Sequence, residues 1–335
     1  MANNFHTYYL AETYGNDLHT ASIVRKVNEM ILSQMGFSEL KFLNIKDGSV
    51  IVKLRRLSEV VKLALSVKKN SLVVFHFPLL ASAYAVLLRV FNKRGIRTAA
   101  IIIDIDGLRY KDEKLLKKEL ETLKEFNYII AHNDAMKDFL SQHITADKIS
   151  CINLFDYPAD KTVPEKKLSN TVCFAGNFEK ATFVNDLDKM QEVNFNLYGQ
   201  LYTGETKKNI CYKGVFPPSE LPQKLEGSFG ILWDGDSIEN CDDYLQYNNP
   251  HKLSLYIAAG LPVIVWQKSA VAKFVEENNI GITINSLTEL NNKINNISLA
   301  QYELMKKNIE PLRSEVINGS FLNRVITAMT SNLSF

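Results

Sequence analysis

Two lysines sit early in segments that read as helix openings, and each follows a run that reads as a strand. In Q-Y-N-N-P-H-K-L-S-L-Y-I-A-A-G-L-P-V-I-V-W, Asn249 has an N-cap side chain and Pro250 suits the first helical position. Gly260 and Pro262 then stop the helix before the buried run Val263–Trp266. Lys252 falls in the first turn, where a cation opposes the helix dipole by about 0.3–1 kcal/mol unless an anion lies near. Free N–H groups at that end favour negative charge, so a diphosphate would resolve the conflict. A lysine that swings into solvent would resolve it too. His251, beside it, is a candidate for ligand contact. A second segment repeats the arrangement: Thr171–Phe174 runs into Ala175-Gly176-Asn177-Phe178-Glu179-Lys180. Here Gly176 lets the backbone approach a ligand, Asn177 shapes the turn, and Lys180 is expected in the first turn of the next helix. One such turn is weak. Two in the same half of the chain favour function.

Charge on a diphosphate can also be met by a metal held on paired carboxylates, and two D-x-D strings occur, Asp104/Asp106 and Asp234/Asp236. Such strings are common in acidic loops. The lysines, helped by helix-end amides, are the favoured source of compensation, so neither a metal nor a cofactor is expected. Asp104 and Asp106 close the strand Thr98–Ile103 and are read as candidates for a general base, with Asp106 preferred. Two neighbouring carboxylates can raise one pKa toward neutrality. The plainer alternative is that one caps the following loop while Asp106 pairs with Arg109. The loop Thr13–Asp17 follows the first strand, and its Gly15 and Asn16 either face a ligand or form a plain turn.

These residues need a scaffold, and the hydrophobic pattern supplies one. Runs at Thr7–Ala11, Leu40–Asn44, Leu72–Phe77, Thr98–Ile103, Tyr128–Ala131 and Ile149–Asn153 alternate with amphipathic helical segments. Runs such as Ala99-Ala100-Ile101-Ile102-Ile103 suit strands buried on both faces of a parallel sheet. The alternation restarts with Val172–Phe174, Phe195–Tyr198, Ile210–Tyr212, Phe229–Leu232, Val263–Trp266 and Gly281–Ile284. Between the two series lies D-Y-P-A-D-K-T-V-P-E-K-K-L-S-N, charged and proline-bearing, which reads as a linker at 156–170. The expected architecture is α/β with two Rossmann-like, doubly wound domains, 1–155 and 171–335, and a last helix able to pack back on the first domain. Ligands of open α/β sheets bind at the carboxyl ends of the strands, so the site is expected in a central cleft.

Composition excludes several classes. The 335 residues are 46% apolar and 23% charged with net charge +2, so no basic footprint points to nucleic acid. Cys151, Cys173, Cys211 and Cys241 form no C-x-x-C pair, which argues against zinc and fits a reduced, cytoplasmic setting. The start of the chain has no basic and apolar leader pattern, and no apolar run is long enough to span a bilayer. The stretch Val52–Lys69 carries Lys53, Arg55, Arg56, Lys62, Lys68 and Lys69 against the single acid Glu59. A solvated helix face is its commoner meaning; peripheral contact with the inner face of a membrane and a contact between copies of the chain are the alternatives.

The blocks F-A-G-N-F-E-K (174–180), L-W-D-G-D-S (232–237) and Y-N-N-P-H-K-L-S-L-Y-I-A-A-G-L-P-V-I-V-W (247–266) resemble bacterial GT-B galactofuranosyltransferases. They are similar too to the second-step glucosyltransferases that extend N-acetylglucosamine on serine-rich-repeat adhesins. I-I-D-I-D-G-L-R (102–109) and I-I-A-H-N-D-A-M (129–136) carry the resemblance into the first half. It implies a GT-B fold and transfer of a hexose from a UDP-sugar to a glycan or glycoprotein acceptor. It also implies that Lys180 and Lys252 hold the donor diphosphate while the Gly176-Asn177 turn approaches it. The family's His-Asp pair after the fourth strand stands here as Ile103-Asp104, so a role for that histidine does not carry over. No E-x7-E spacing of the retaining type occurs near Asp236–Tyr247, which tilts the expectation to inversion. The alternative is a non-catalytic GT-B partner subunit that binds glycan or protein; such partners lose their phosphate-binding residues.

Overall fold

The β-branched and aromatic runs form two sheets of six parallel strands each. The computed structural model describes residues 5–11, 20–41, 50–79, 82–204 and 207–331. Contacts gather them into two units, one made of residues up to Ile152 together with those from Leu322 onward, the other Asn153–Phe321. Residues 156–170, read from the sequence as a linker, therefore lie within the second unit. They are bonded to it along their length: Tyr157 Oη donates to the Pro218 carbonyl at 2.8 Å, Lys166 Nζ to the Leu225 carbonyl at 2.6 Å, and Arg313 to the carbonyls of Asp160 and Lys161.

In the first unit the chain runs β1 (His6–Ala11), α1 (Thr20–Gln34), β2 (Ser38–Lys41), α2 (Val50–Ser66), β3 (Ser71–Phe77), α3 (Ser82–Lys93) and β4 (Arg97–Ile102). It continues through α4 (Asp106–Arg109), α5 (Glu113–Lys124), β5 (Tyr128–Ala131), α6 (Asp134–Ser141) and β6 (Ile149–Cys151). The sheet order is β2-β1-β3-β4-β5-β6. Its central strands read as unbroken apolar runs because helices cover both faces: every residue of β3 is buried. Phe75 shows why these runs are aromatic as well as aliphatic, since its ring packs edge-on against Phe91 and Phe126.

The second unit contains β7 (Thr171–Ala175), β8 (Asn194–Tyr198), β9 (Ile210–Gly214), α7 (Leu221–Lys224), β10 (Phe229–Leu232), α8 (His251–Ala258), β11 (Val263–Trp266), α9 (Ala272–Glu277), β12 (Gly281–Ile284), α10 (Leu290–Asn295) and α11 (Leu299–Ile317). A last helix, α12 (Ser320–Ser331), follows. The order β12-β11-β10-β7-β8-β9 reverses direction between β7 and β10. Ligand sites of open α/β sheets lie at such switch points, outside the carboxyl ends of the strands. In the first unit the reversal falls between β1 and β3; Gly15 and Asn16, after β1, lie outside the described residues.

Helix α8 is buried almost all round, and its seat on the sheet depends on one missing side chain. A Cβ on Gly230 of β10 would stand 2.2 Å from Cγ of Tyr256 on α8, so only glycine lets the ring lie against the strand. We expect Gly230→Ala to destabilise the protein by about 3 kcal/mol through overpacking, read as a lower urea midpoint; an unchanged midpoint would disprove the contact.

Three histidines, His76, His132 and His251, are buried with their pKa values lowered by burial, and the last two have carbonyl partners. His132 follows β5 with Nε2 3.1 Å from the Ile102 carbonyl, and His251 opens α8 with Nε2 3.4 Å from the Asp156 carbonyl. Burial lowers each pKa to about 4, the carbonyls pulling slightly the other way. Between pH 6.5 and 4 the unfolded chain thus binds protons that the folded chain refuses, and stability falls as pH falls through that window. The loss should approach roughly 3 kcal/mol per histidine at the acid end. Urea unfolding at pH 7 and pH 4.5 measures it, and His251→Gln should shrink the decline; an identical decline in that variant would remove His251 from the account.

Candidate functional site

At the switch point β7 and β10 run side by side through Val172–Phe229 and Cys173–Gly230 and then part. The hydroxyl of Tyr256 fills the gap: it accepts the Ala175 N–H at 3.0 Å and donates to the Ile231 carbonyl at 3.2 Å. Both main-chain groups would otherwise be buried and unpaired, at a cost of about 1–3 kcal/mol each. The hydroxyl fixes where the two strand ends stop, and so where the loops that follow begin.

From β7 the chain enters Gly176. A Cβ there would meet the Phe174 ring at 3.0 Å and Cε of Lys252 at 3.4 Å. The structure thus brings two of the candidates, Gly176 and Lys252, side by side, and the bare glycine backbone faces the stem of the lysine. The turn after β8 closes on the same point. Gly199, with φ at +141°, has its missing Cβ 1.8 Å from the Gly176 carbonyl oxygen. No other residue fits there.

Lys252 is the second residue of α8, in its first turn as expected. Its ammonium is not left unopposed. Nζ lies 2.7 Å from Oδ1 of Asp234, on the loop after β10, and 4.5 Å above the Phe174 ring. The lysine side chain is 20% exposed and the aspartate 38%, so the pair is partly solvated and contributes little net stability. What it does is hold the cation over the Gly176 turn. Asp234 escaped the sequence reading as a partner because the D-x-D string suggested a metal or a turn. Among the described residues no three His, Cys, Asp or Glu side chains stand together in a way that could hold a metal ion.

Three expectations are corrected. Lys180 is not in the first turn of a helix. Asn177 accepts the Glu179 N–H on its side chain and the Ala181 N–H on its carbonyl, so residues 177–181 close a turn and a 3-10 segment starts only at Thr182. Lys180 is exposed on that turn, and the dipole argument does not apply to it. Asn249 does not cap α8: Pro250 holds the cap position with no side-chain bond, because Nδ2 of Asn249 is engaged by the Asn153 carbonyl at 2.5 Å. His251 is buried, stacked on Tyr157 at 4.9 Å and edge-on to Phe155, which accounts for its ring by packing rather than ligand contact. Asn248, which the sequence reading passed over, is buried and its Oδ1 has no hydrogen-bond partner. Only the fold could reveal that, since nothing in Y-N-N-P distinguishes the two asparagines.

In the first unit Asp104 and Asp106 follow β4. Asp104 Oδ2 is 2.9 Å from an Arg109 guanidinium nitrogen. Asp106 opens α4, and the carboxylate of Glu119 on α5 accepts the N–H groups of Asp106 and Gly107 at 3.1 and 2.8 Å.

Comparison with known proteins gives the family. Residues 7–154 match the model of the Glucosyltransferase 3-like N-terminal domain and residues 172–329 that of the Glucosyltransferase 3-like C-terminal domain. The chain is 30% identical to the beta-1,6-galactofuranosyltransferase WbbI of Escherichia coli over 278 residues, 79% of this chain and 81% of that one. It is 24% identical to Glucosyltransferase 3 of Streptococcus gordonii over 92% of this chain and 93% of that one. Among solved structures, the UDP complex of Anabaena Alr3699/HepE superposes with a TM-score of 0.67 at 15% identity, covering 98% of this chain and all (100%) of that one. Sucrose-phosphate synthase from Thermosynechococcus elongatus does so with 0.71 at 12%, covering 97% and 98%. The two sheets are those of the GT-B fold, and the chain belongs to the glucosyltransferase 3-like family of glycosyltransferases.

Proposed function

We propose that the protein transfers a hexose (glucose, N-acetylglucosamine or galactofuranose) from a UDP-sugar to a sugar acceptor on a glycoprotein or polysaccharide, with inversion and without a metal. The observation that carries this reading is the ammonium of Lys252, held over the Gly176 turn at the switch point of the second sheet. A leaving UDP gains negative charge on its diphosphate, and a cation beside free helix-end N–H groups stabilises that charge where it develops. Lys180, exposed on the adjoining turn, is the second cation of the grip; Asn177 shapes that turn. Support for the donor comes from the names of similar proteins, a galactofuranosyltransferase, a glucosyltransferase, and a structure solved with UDP-glucose.

In the reaction the acceptor hydroxyl gives its proton to a carboxylate as its oxygen attacks the anomeric carbon. The bond from that carbon to the diphosphate oxygen breaks, and its electron pair leaves with UDP. Asp106 is the proposed base, with Asp104 restrained by Arg109. Inversion is supported by the lack of an E-x7-E spacing near α8. Among the described residues no helix is long and apolar enough to cross a membrane. The proposed setting is the cytoplasm, with or without contact at the membrane's inner face.

Lys252→Ala should weaken UDP binding by tenfold or more, the scale of one charge-assisted bond, and leave the thermal midpoint near that of the parent. Lys180→Ala should weaken it less, since this side chain is solvated. Asp234→Asn should do the opposite. By removing the carboxylate that competes for Lys252 it should tighten UDP binding about two- to fivefold, the worth of a partly exposed pair. Calorimetric titration of the three variants decides the matter. Full affinity in both lysine variants would sink the diphosphate assignment.

Transfer should proceed unchanged in excess EDTA, assayed over a panel of UDP-sugars that also identifies the hexose. Activity lost in EDTA and restored by manganese would refute the metal-free reading. No affinity for any UDP-sugar would favour a non-catalytic partner role instead.

A further inference from the structure

Ile105 occupies the cap position of α4, after β4, and has no side-chain oxygen to offer the first N–H groups of that turn. Glu119 supplies such oxygens from another helix. It is 6% exposed, and its two oxygens accept the N–H groups of Asp106 and Gly107 at 3.1 and 2.8 Å. The turn is pressed against α5 closely enough to make this possible: a Cβ on Gly107 would stand 2.3 Å from the backbone N and Cα of Leu116, and the Gly107 carbonyl accepts the Asp112 N–H at 2.9 Å.

A buried carboxylate on two main-chain amides is more than packing requires, because a buried, well-shaped apolar side chain would fill the same space at lower desolvation cost. Its charge also has neighbours. Burial is the main cause that raises the Glu119 pKa, the amides of Gly107 and Asp106 oppose it, and the charges of Asp106 and Asp104 add a smaller push in the same direction as burial. Arg109 answers Asp104 directly at 2.9 Å. His132, just after the next strand, is buried with its pKa lowered to about 4, mainly by burial, and bonds the Ile102 carbonyl. Electrostatic coupling is mutual, so the charge of Glu119 makes Asp106 hold a proton more firmly than it otherwise would.

We propose that Glu119 is a positioning residue for the transfer reaction, fixing Asp106 through its main chain and setting a second negative charge beside it. The inference rests on Asp106 being the base. Glu119 touches neither substrate; it acts by aiming Asp106 and by sustaining its affinity for the acceptor's proton.

The pH dependence of kcat/KM in the parent, Glu119→Gln, Glu119→Asp and Asp106→Asn tests this. Glu119→Gln should lower kcat about tenfold or more, leave KM for the UDP-sugar unchanged, and move the acid limb of the profile down by about one pH unit. Glu119→Asp keeps the charge but loses reach, so kcat should fall by a similar factor while the acid limb stays near that of the parent. If Glu119→Gln does not fold, Glu119→Asp still decides: unchanged kcat there overturns the proposal. If Glu119→Gln folds with its acid limb unmoved while Asp106→Asn is inactive, Glu119 is merely structural and the base assignment stands. If Asp106→Asn keeps its activity, the base assignment itself fails and this inference falls with it.

Discussion

Where β7 and β10 part, two buried main-chain groups lose the partners that a continuing sheet would give them, and the hydroxyl of Tyr256 takes both. The rest of the second unit follows from that arrangement. The ring can reach the gap only because Gly230 presents no Cβ to it, and the helix that carries the ring, α8, is thereby set with its first turn beside the strand ends. Lys252 rides on that turn. The position of the cation is thus a consequence of sheet topology: reversal of strand order opens the gap, a buried phenol closes it, and the helix bearing the phenol brings its N-terminus and its lysine to the same place.

The charge at this place is balanced in a way that suits exchange. A lysine with no partner at a helix N-terminus would stray into solvent, and one locked in a fully buried ion pair would be costly to recruit. The Asp234 carboxylate holds Lys252 in a partly solvated pair, near the Phe174 ring and above the glycine backbone. Such a pair is weak enough to be displaced by a dianion and directional enough to keep the ammonium aimed. Asp234 comes from the loop after β10, on the other side of the switch point from Gly176, so the two loops that flank the gap cooperate in placing one atom.

Much of the scaffold was legible because its signals are local or periodic. Among the described residues the central strands, such as β3, β4, β10 and β11, coincide with β-branched or aromatic runs, since a strand buried on both faces must be apolar throughout; the edge strand β2, S-E-L-K, has no such run. Lys252 and Gly176 were legible as candidates because strand–glycine–helix transitions have a local signature. What was not legible depends on partners far along the chain. Asn249 looks like an N-cap until the Asn153 carbonyl, 96 residues away, takes its side chain. His251 looks like a ligand contact until Tyr157 stacks on it. Lys180 looks like a first-turn residue because the sequence cannot show that Asn177 closes a turn before the helix begins. The Lys252–Asp234 pair spans 18 residues with a strand end on one side and a helix start on the other, a spacing that no periodicity marks.

The loops at the carboxyl ends of both sheets share one mechanical problem. A loop that leaves the end of a strand cannot satisfy its backbone by extending the sheet. In both units the solution comes from a side chain on a neighbouring helix: Tyr256 on α8 for the ends of β7 and β10, Glu119 on α5 for the turn after β4. Each is paired with a glycine that admits close contact, Gly230 in one case and Gly107 in the other. A group fixed through its main chain by a buried partner keeps its direction without help from the ligand, which is the condition for stabilising charge or taking a proton without reorganising first. The neutral phenol suffices where only geometry is needed. The carboxylate stands where the turn it holds carries Asp106, with Asp104 just before it, and there it couples to both electrostatically as well as through its shape.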